Sequence, residues 1–202
     1  MIIKWKEEGC SHWLERGVFN LLAIKQFDDP VTIELCCGEG FNSRYFYAHE
    51  CKYIYACDFD SAAIKEAKRK YFADNLEFAI SDIREGIPDE INGMSPTNII
   101  WDKAIEHFTP QEINEIMEKI KSVLSPQKGI LSGHTVCEIG EKMIEQHEYE
   151  FKNMQDLRRF FLPYFKNVIV WETIYSDRHN LYFMASDGTL PFSENWEHWI
   201  TK

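Results

Sequence analysis

The stretch Thr32-Ile33-Glu34-Leu35-Cys36-Cys37-Gly38-Glu39-Gly40-Phe41-Asn42-Ser43 decides the fold of this chain. An apolar run contains an acidic residue near its end and leads into a G-x-G turn and then a candidate helix start. This order predicts a parallel strand with a nucleotide-like ligand at its end. The glycines let the backbone approach the ligand closely, and the start of the helix adds unpaired N–H donors.

Three acidic residues accompany the first three predicted strands. Glu34 lies within the first strand, Asp58 ends the second, and Asp82 follows the third. Asp58 comes about 20 residues after the turn, the spacing at which a carboxylate accepts both hydroxyls of a ribose. Asp82 is placed to accept the exocyclic amine of an adenine, and Phe59 and Ile83 are placed to sandwich that base. Together these residues predict an adenosine site.

Size and charge restrict the class of protein. The 202 residues are enough for one sizeable α/β domain and too few for two full ones. Lysine and arginine number 22 against 33 acidic residues, which gives a formal charge of −11. A chain this acidic repels a phosphate backbone, and it contains no basic run, so we expect no nucleic-acid partner.

The first residues and the cysteines indicate a cytoplasmic protein. Residues 1–8 become charged too early for a signal peptide, and we expect no membrane span. The six cysteines contain no C-x-x-C pair, and Cys36 and Cys37 are adjacent. We therefore expect reduced, packed thiols and no metal site.

Strands and helices alternate between residues 31 and 133. The predicted strands are Val31–Cys36, Tyr53–Cys57, Leu76–Ile80, Asn98–Trp101 and Gly129–Ser132. Helical periodicity covers Ser61–Phe72, and Thr109-Pro110-Gln111-Glu112 is a capping-box start for a second helix. Such βα repeats predict a doubly wound α/β fold, with helices on both faces of a mostly parallel sheet.

The two ends of the chain have different patterns. Asn167–Tyr175 and Asn180–Ala185 predict a terminal hairpin, and Asn153–Tyr164 predicts a helix just before it. Residues 1–28 predict a helical N-terminal extension, and 188–202 a surface tail. With a core at 31–186 and no linker, 1–202 is predicted to be a single domain.

Five segments in order resemble the class I S-adenosylmethionine-dependent methyltransferases over about residues 31–186. The first motif of that family is similar to Glu34–Gly40, the second to Tyr53–Asp58 and the third to Ile80–Ile83. Ile99–Phe108 is similar to its fourth-strand segment, and Leu124–Leu131 to the turn before its fifth strand. Cys36 departs from the family's first glycine, and Gln127-Lys128 replaces one later glycine.

The resemblance implies a Rossmann-like, seven-stranded sheet ending in an antiparallel hairpin, and S-adenosylmethionine as cofactor, with S-adenosylhomocysteine as product. It places Glu34 near the methionine end of the cofactor, and Gly38 and Gly40 where they leave it room. The cofactor-binding set that it implies is Glu34, Cys37, Gly38, Gly40, Asp58, Phe59, Asp82, Ile83 and Trp101.

Two histidines are candidates for a catalytic base. His134 follows the fifth predicted strand and His107 follows the fourth, at the sheet edge where ligands bind in open α/β folds. Each could instead bind a carbonyl or cap a helix.

Two other parts of the chain could cover the acceptor. The long connection 134–152 is acidic and could form a lid. Trp5, Trp13 and Phe19 could cover an acceptor or pack on the sheet.

Methyl transfer to an oxygen or nitrogen of a small-molecule acceptor is therefore the predicted function. A nicotinamide-dependent oxidoreductase is one alternative, because G-x-G followed by Asp58 also suits a dinucleotide. A catalytically silent cofactor-binding partner protein is another. The sequence leaves the acceptor and the oligomeric state open.

Overall fold

The computed structural model describes residues 11–137, 146–175 and 178–191, and its centre is a seven-stranded sheet of order β3-β2-β1-β4-β5-β7-β6. The first five strands pair in parallel, whereas β7 pairs antiparallel with both β5 and β6. The strands are β1 Val31–Leu35, β2 Tyr53–Asp58, β3 Leu76–Ile80, β4 Asn98–Asp102, β5 Ile130–Val136, β6 Asn167–Ile174 and β7 His179–Ser186. The predicted doubly wound sheet with a terminal antiparallel hairpin is confirmed.

In the described residues these strands are accompanied by four α-helices, one π-helical turn and one 3₁₀ turn. The helices are α1 Ser11–Ile24, α2 Ser61–Lys70, α3 Pro110–Val123 and α4 Met154–Arg158. Asp60 caps α2 by accepting the Ala62 N–H at 2.8 Å, and Thr109 and Glu112 form the predicted capping box of α3. These caps satisfy N–H groups that a helix start leaves unpaired, and so they fix where each helix begins.

Each face of the sheet is covered by a hydrophobic layer. Ile99 and Trp101 of β4 pack toward α3, whereas Ile100 between them packs with Ile24 of α1 on the opposite face. This alternation follows from the two-residue period of a strand and explains why β4 is apolar throughout. No helix in the described ranges is long and apolar enough to cross a membrane.

The structure corrects three local predictions. The residues after the G-x-G turn form a π-helical turn at Ser43–Tyr47 rather than a regular α-helix. The helix predicted over Asn153–Tyr164 is regular only at Met154–Arg158 and continues as turns. In the N-terminal extension the helix covers Ser11–Ile24; residues 1–10, positions 138–145 of the predicted lid and positions 192–202 of the predicted tail lie outside the described residues.

Candidate active site

A cleft of about 580 Å³ opens at the carboxyl ends of the parallel strands. Its lining consists of Cys36, Gly38, Asp58, Phe59, Asp60, Ala63, Ser81, Asp82, Ile83, Arg84, Lys103, Ala104, His107, Phe108 and Gln146. These residues follow β1, β2, β3 and β4, because the carboxyl ends of parallel strands meet at one edge. Six predicted site residues therefore share one cleft: Gly38, Asp58, Phe59, Asp82, Ile83 and His107.

Asp58 joins the G-x-G turn to the end of β2. Its Oδ2 accepts the Gly38 N–H and its Oδ1 accepts the Asp60 N–H, each at 2.9 Å. The residue is only 8% exposed, yet it lines the cleft. Two backbone donors thus hold the carboxylate in one orientation, so that a diol can reach it from the cleft.

The two glycines of the turn have different roles. Both have positive φ, but a Cβ on Gly38 would meet nothing within 4 Å, whereas one on Gly40 would lie 2.3 Å from the ring of Phe78. Gly38 therefore leaves open space at the cleft. Gly40 leaves room for the packing of Phe78, and its part in leaving room for a cofactor stays a prediction.

Phe59 and Ile83 lie on the part of the cleft next to β2 and β3. Phe59 is 67% exposed, which is unusual for a phenylalanine in a folded domain, while Ile83 is buried. Asp82 is paired with Arg84, whose Nη2 lies 2.6 Å from Oδ2, and this ion pair lowers the pKa of Asp82. An exposed ring beside a buried aliphatic side chain is suited to a flat aromatic ligand.

The structure places Glu34, Cys37 and Trp101 outside the cleft lining. Glu34 is buried in β1 and accepts a hydrogen bond from the Ser43 hydroxyl, and burial raises its pKa to about 8. Trp101 is fully buried, with its ring 5.5 Å from that of Phe108. Neither Glu34 nor Trp101 lines the cleft, and contact between either side chain and the cofactor stays a prediction.

His134 is also buried below the cleft rather than at its rim. It is 2% exposed, its Nδ1 lies 3.6 Å from Asp102 Oδ1, and the centroid of its ring lies 5.0 Å from that of Tyr182 at an interplanar angle of 40°. Burial lowers its pKa to about 3, so the ring is neutral at physiological pH. A neutral, enclosed imidazole of such low basicity is a weak candidate for a general base.

His107 lies at the cleft in a group of residues that the sequence analysis largely missed. It ends the 3₁₀ turn Ile105–His107 after β4, and its neighbour Glu106 is 1% exposed. Near them in space is His147, which lies 40 positions further along the chain. Glu106 lies within Ile99–Phe108, the segment that resembles the family's fourth strand, but no local pattern connects it with His147.

The comparisons with known proteins define the class of protein. Residues 33–127 match a family model described as a methyltransferase domain. That range contains the turn, Asp58, Asp82 and His107, and the surrounding sheet has the order and terminal hairpin that the resemblance implied. The matched region identifies a methyltransferase domain, and together with the fold it supports an S-adenosylmethionine-dependent methyltransferase, the class of enzyme that the resemblance implied. None of the curated proteins compared with the chain matches it.

Solved structures with the same fold have low sequence identity to this chain. A structure titled as a complex of DhpI with S-adenosylhomocysteine is 17% identical with a TM-score of 0.68, over 94% of this chain and 89% of that one. The N-methyltransferase NodS from Bradyrhizobium japonicum is 14% identical with a TM-score of 0.68, over 87% and 96%. Phosphoethanolamine N-methyltransferase 2 from Haemonchus contortus is 16% identical with a TM-score of 0.63, over 84% and 52%.

Proposed function

We propose that this enzyme moves a methyl group from S-adenosylmethionine, bound in the cleft, to an oxygen or nitrogen of a small molecule. The observation that carries the proposal is the Asp58 carboxylate, fixed by two backbone N–H groups beside the exposed ring of Phe59. Asp58 would accept the ribose hydroxyls, and Phe59 and Ile83 would enclose the adenine. Asp82 would share its carboxylate between Arg84 and the adenine amine.

Charge supports a cationic cofactor in this cleft. The sulfonium of S-adenosylmethionine carries a positive charge that is lost when the methyl group leaves. Asp58 and Asp82 line the cleft, and the whole chain has a formal charge of −11. These acidic residues attract the positively charged S-adenosylmethionine more strongly than S-adenosylhomocysteine, whose sulfur is neutral. This difference favours replacement of the product by fresh cofactor after turnover.

The acceptor would occupy the part of the cleft next to β4. Lys103, Ala104, His107, Phe108 and Gln146 line this part, away from Asp58 and Phe59. A cleft of about 580 Å³ falls within the range typical of small-molecule sites, so a cofactor leaves room for a small acceptor only. Two of the solved structures with this fold are titled as N-methyltransferases, one of them in complex with phosphomonomethylethanolamine, which supports a small acceptor.

Methyl transfer requires the protein mainly to align the acceptor atom with the methyl group. The acceptor atom attacks the methyl carbon in line with the departing sulfur, whose bond electrons neutralise the sulfonium. A hydroxyl or ammonium acceptor must also lose a proton. Of the two histidine candidates, His107 is exposed at the cleft and His134 is enclosed, so the acceptor proton is proposed to leave on the His107 side.

Two further observations bear on the alternatives and on the compartment. The antiparallel β7 between β5 and β6 differs from the 3-2-1-4-5-6 order of a dinucleotide-binding sheet, which speaks against a nicotinamide oxidoreductase. Among the described residues Cys36, Cys37, Cys51 and Cys57 are free thiols, which supports the proposed cytoplasmic location.

Calorimetric titration of the purified protein tests the proposal. We expect micromolar binding of S-adenosylmethionine and S-adenosylhomocysteine and no binding of NAD. Methyl transfer is then measured as release of S-adenosylhomocysteine across panels of small amines, phenols and hydroxy acids. Binding of NAD alone, or binding of neither adenosyl compound, would overturn the assignment of the cleft.

A further inference from the structure

Glu106, His107 and His147 form a compact group at the acceptor end of the cleft. One potential ligand atom from each lies within 4.8 Å of those of the other two. Glu106 and His107 come from the 3₁₀ turn after β4, and His147 comes from the segment that returns toward the sheet before α4. His107 lines the cleft directly, so the group borders the space proposed for the acceptor.

Glu106 has one carboxylate oxygen that the described residues leave without a partner. Its Oε2 accepts a hydrogen bond from the Thr135 hydroxyl at 2.9 Å, but Oε1 is buried with no hydrogen-bond partner. The residue is 1% exposed. A buried carboxylate oxygen without a donor is costly, and native proteins place a partner, a water or an ion beside it.

Both histidines are held by their Nδ1 atoms. His107 Nδ1 lies 2.9 Å from the backbone oxygen of Gln146, and His147 Nδ1 lies 3.0 Å from Glu150 Oε1. A carbonyl or carboxylate oxygen only accepts, so each Nδ1 carries the proton and each Nε2 keeps a lone pair. Metal-binding histidines have this arrangement, in which the second ring nitrogen donates to an oxygen.

The backbone around the group is also fixed. The oxygen of Glu106 accepts the N–H groups of Glu148 and Tyr149 at 2.9 and 3.1 Å. These bonds attach the segment that carries His147 to the turn that carries His107, and the two rings meet edge to face with centroids 5.1 Å apart. Ligands from separate parts of the chain are therefore held before any ion arrives, which reduces the entropy cost of binding.

Direct pairing among Glu106, His107 and His147 does not account for their close approach. Among the described residues neither histidine forms a salt bridge with Glu106, although three polar groups lie close together. An ion bound at about 2.1 Å from each would set the ligand atoms about 3.4 Å apart in tetrahedral geometry. Small side-chain rotations within the observed 4.8 Å limit would give that spacing.

We propose that Glu106, His107 and His147 bind one divalent transition-metal ion, of which Zn²⁺ is the reference case. Two imidazoles and one carboxylate suit borderline cations such as Zn²⁺, Mn²⁺, Fe²⁺ and Co²⁺, and three protein ligands leave a position open for water or substrate. That position faces the cleft, because His107 lines it. The cysteine spacing predicted no metal site, but this group contains no cysteine.

The role of the ion rests on the proposed function, whereas its binding does not. A hydroxyl of the acceptor would coordinate at the open position and become more acidic there. Its proton leaves to solvent, the oxygen bonds to the methyl carbon, and the carbon–sulfur bond breaks with its electrons remaining on sulfur. The ion would thus both orient the acceptor and remove the need for a strong protein base.

Metal titration of the full chain, freed of any affinity tag and treated with a chelator, tests the site. We expect one equivalent of Zn²⁺ to bind with micromolar or tighter affinity. One equivalent of Co²⁺ should give the visible absorption of a low-coordinate site with nitrogen ligands. Failure of both ions to bind at one equivalent would overturn the proposal.

Variants separate this site from adventitious binding. Glu106→Gln keeps the acceptor for Thr135 but removes the anionic ligand, and His147→Gln removes one nitrogen ligand. Each is expected to weaken Zn²⁺ binding at least 100-fold and to abolish the Co²⁺ bands. His179→Gln is the matched control, because His179 lies 2.7 Å from Glu172 at the start of β7 and is not among the residues that line this cleft. Unchanged Zn²⁺ affinity in either site variant would contradict the proposal.

Titration with S-adenosylmethionine keeps the two proposals distinguishable. Glu106→Gln and His147→Gln are expected to bind the cofactor as the unmodified chain does, which also shows that they are folded. If Glu106→Gln fails to fold, His147→Gln decides alone, because it leaves Glu106 and the bond from the Thr135 hydroxyl in place. Stoichiometric metal binding without cofactor binding would support the metal site and reject the proposed function.

Discussion

Arg16 of α1 and Asp102 at the end of β4 form a buried ion pair between positions 86 residues apart. The Arg16 Nε and Nη2 atoms both donate to Asp102 Oδ2, at 2.8 and 2.5 Å, and the side chains are 7% and 3% exposed. Asn42 donates to the same oxygen at 3.4 Å. The pair connects the N-terminal helix to the strand end that precedes Lys103, a residue of the cleft.

Loss of Arg16 is expected to destabilise the fold strongly. Arg16→Met leaves the buried Asp102 charge without its main partner, which typically costs about 3–5 kcal/mol of unfolding free energy. Urea denaturation measures this quantity. Lys25→Met is the control, because the Lys25–Glu50 pair is exposed and such pairs contribute under about 1 kcal/mol. Equal losses in the two variants would show that the buried pair has no special role.

Asp58 is expected to dominate the affinity for cofactor. Asp58→Asn removes the charge-assisted bonds proposed for the ribose hydroxyls, each worth about 1.5–3 kcal/mol, so affinity should fall at least tenfold. Asp60→Asn removes the same charge two positions away and keeps a side chain able to cap α2. Calorimetry on both variants should show the loss in Asp58→Asn only. Similar affinities in the two variants would reject the ribose assignment.

The two glycines of the turn are expected to respond differently to alanine. Gly38→Ala adds a Cβ in open space at the cleft, so cofactor affinity should fall while stability drops by only about 1–2 kcal/mol for the left-handed backbone. Gly40→Ala forces a Cβ against Phe78 and should cost about 2–4 kcal/mol, from overpacking together with backbone strain. Urea denaturation and calorimetry measure the two effects. A larger stability loss in Gly38→Ala would contradict the packing role of Gly40.

Glu34 is expected to make the fold less stable as pH rises toward 8. Its pKa is about 8 in the folded chain against an ordinary 4.5, so the folded state retains a proton that the unfolded state has lost. Stability therefore falls with pH between these values, by at most about 1.4 kcal/mol per pH unit. Glu34→Gln should remove this fall. Glu118→Gln, at an exposed position of α3, should keep it, and a fall in both would exclude Glu34 as its source.

His134 is expected to make the fold less stable as pH falls below about 6.5, which is opposite to the effect of Glu34. Its pKa is about 3 in the folded chain against an ordinary 6.5, so below pH 6.5 the unfolded state binds a proton that the folded state does not. Stability is lost as pH falls through this range, and between pH 4.5 and 6.5 it opposes the effect of Glu34. His134→Asn should flatten the acid side of the stability profile measured by urea denaturation. An unchanged acid side would show that His134 is not buried as a neutral ring.

Local patterns predicted much of the fold and six of the fifteen residues that line the cleft. The βα alternation and the Thr109–Glu112 capping box depend on neighbours in sequence, and the structure shows them where they were expected. Asp58 and Phe59 were found because the carboxyl ends of parallel strands must share an edge. The burial of Trp101 and His134 and the close approach of Phe78 to Gly40 depend instead on packing with residues distant in sequence, which local patterns do not reveal.

The sequence by itself determined the strand order along the chain, the turn at Gly38 and the acidic strand ends, since these follow from period, propensity and spacing. Only the tertiary structure decided that His147 lies beside Glu106 and that Arg16 pairs with Asp102. The partners in both cases lie tens of residues apart and contribute single side chains, so no periodic pattern connects them. Their proximity arises when helices pack on the sheet and bury charges that must then find partners.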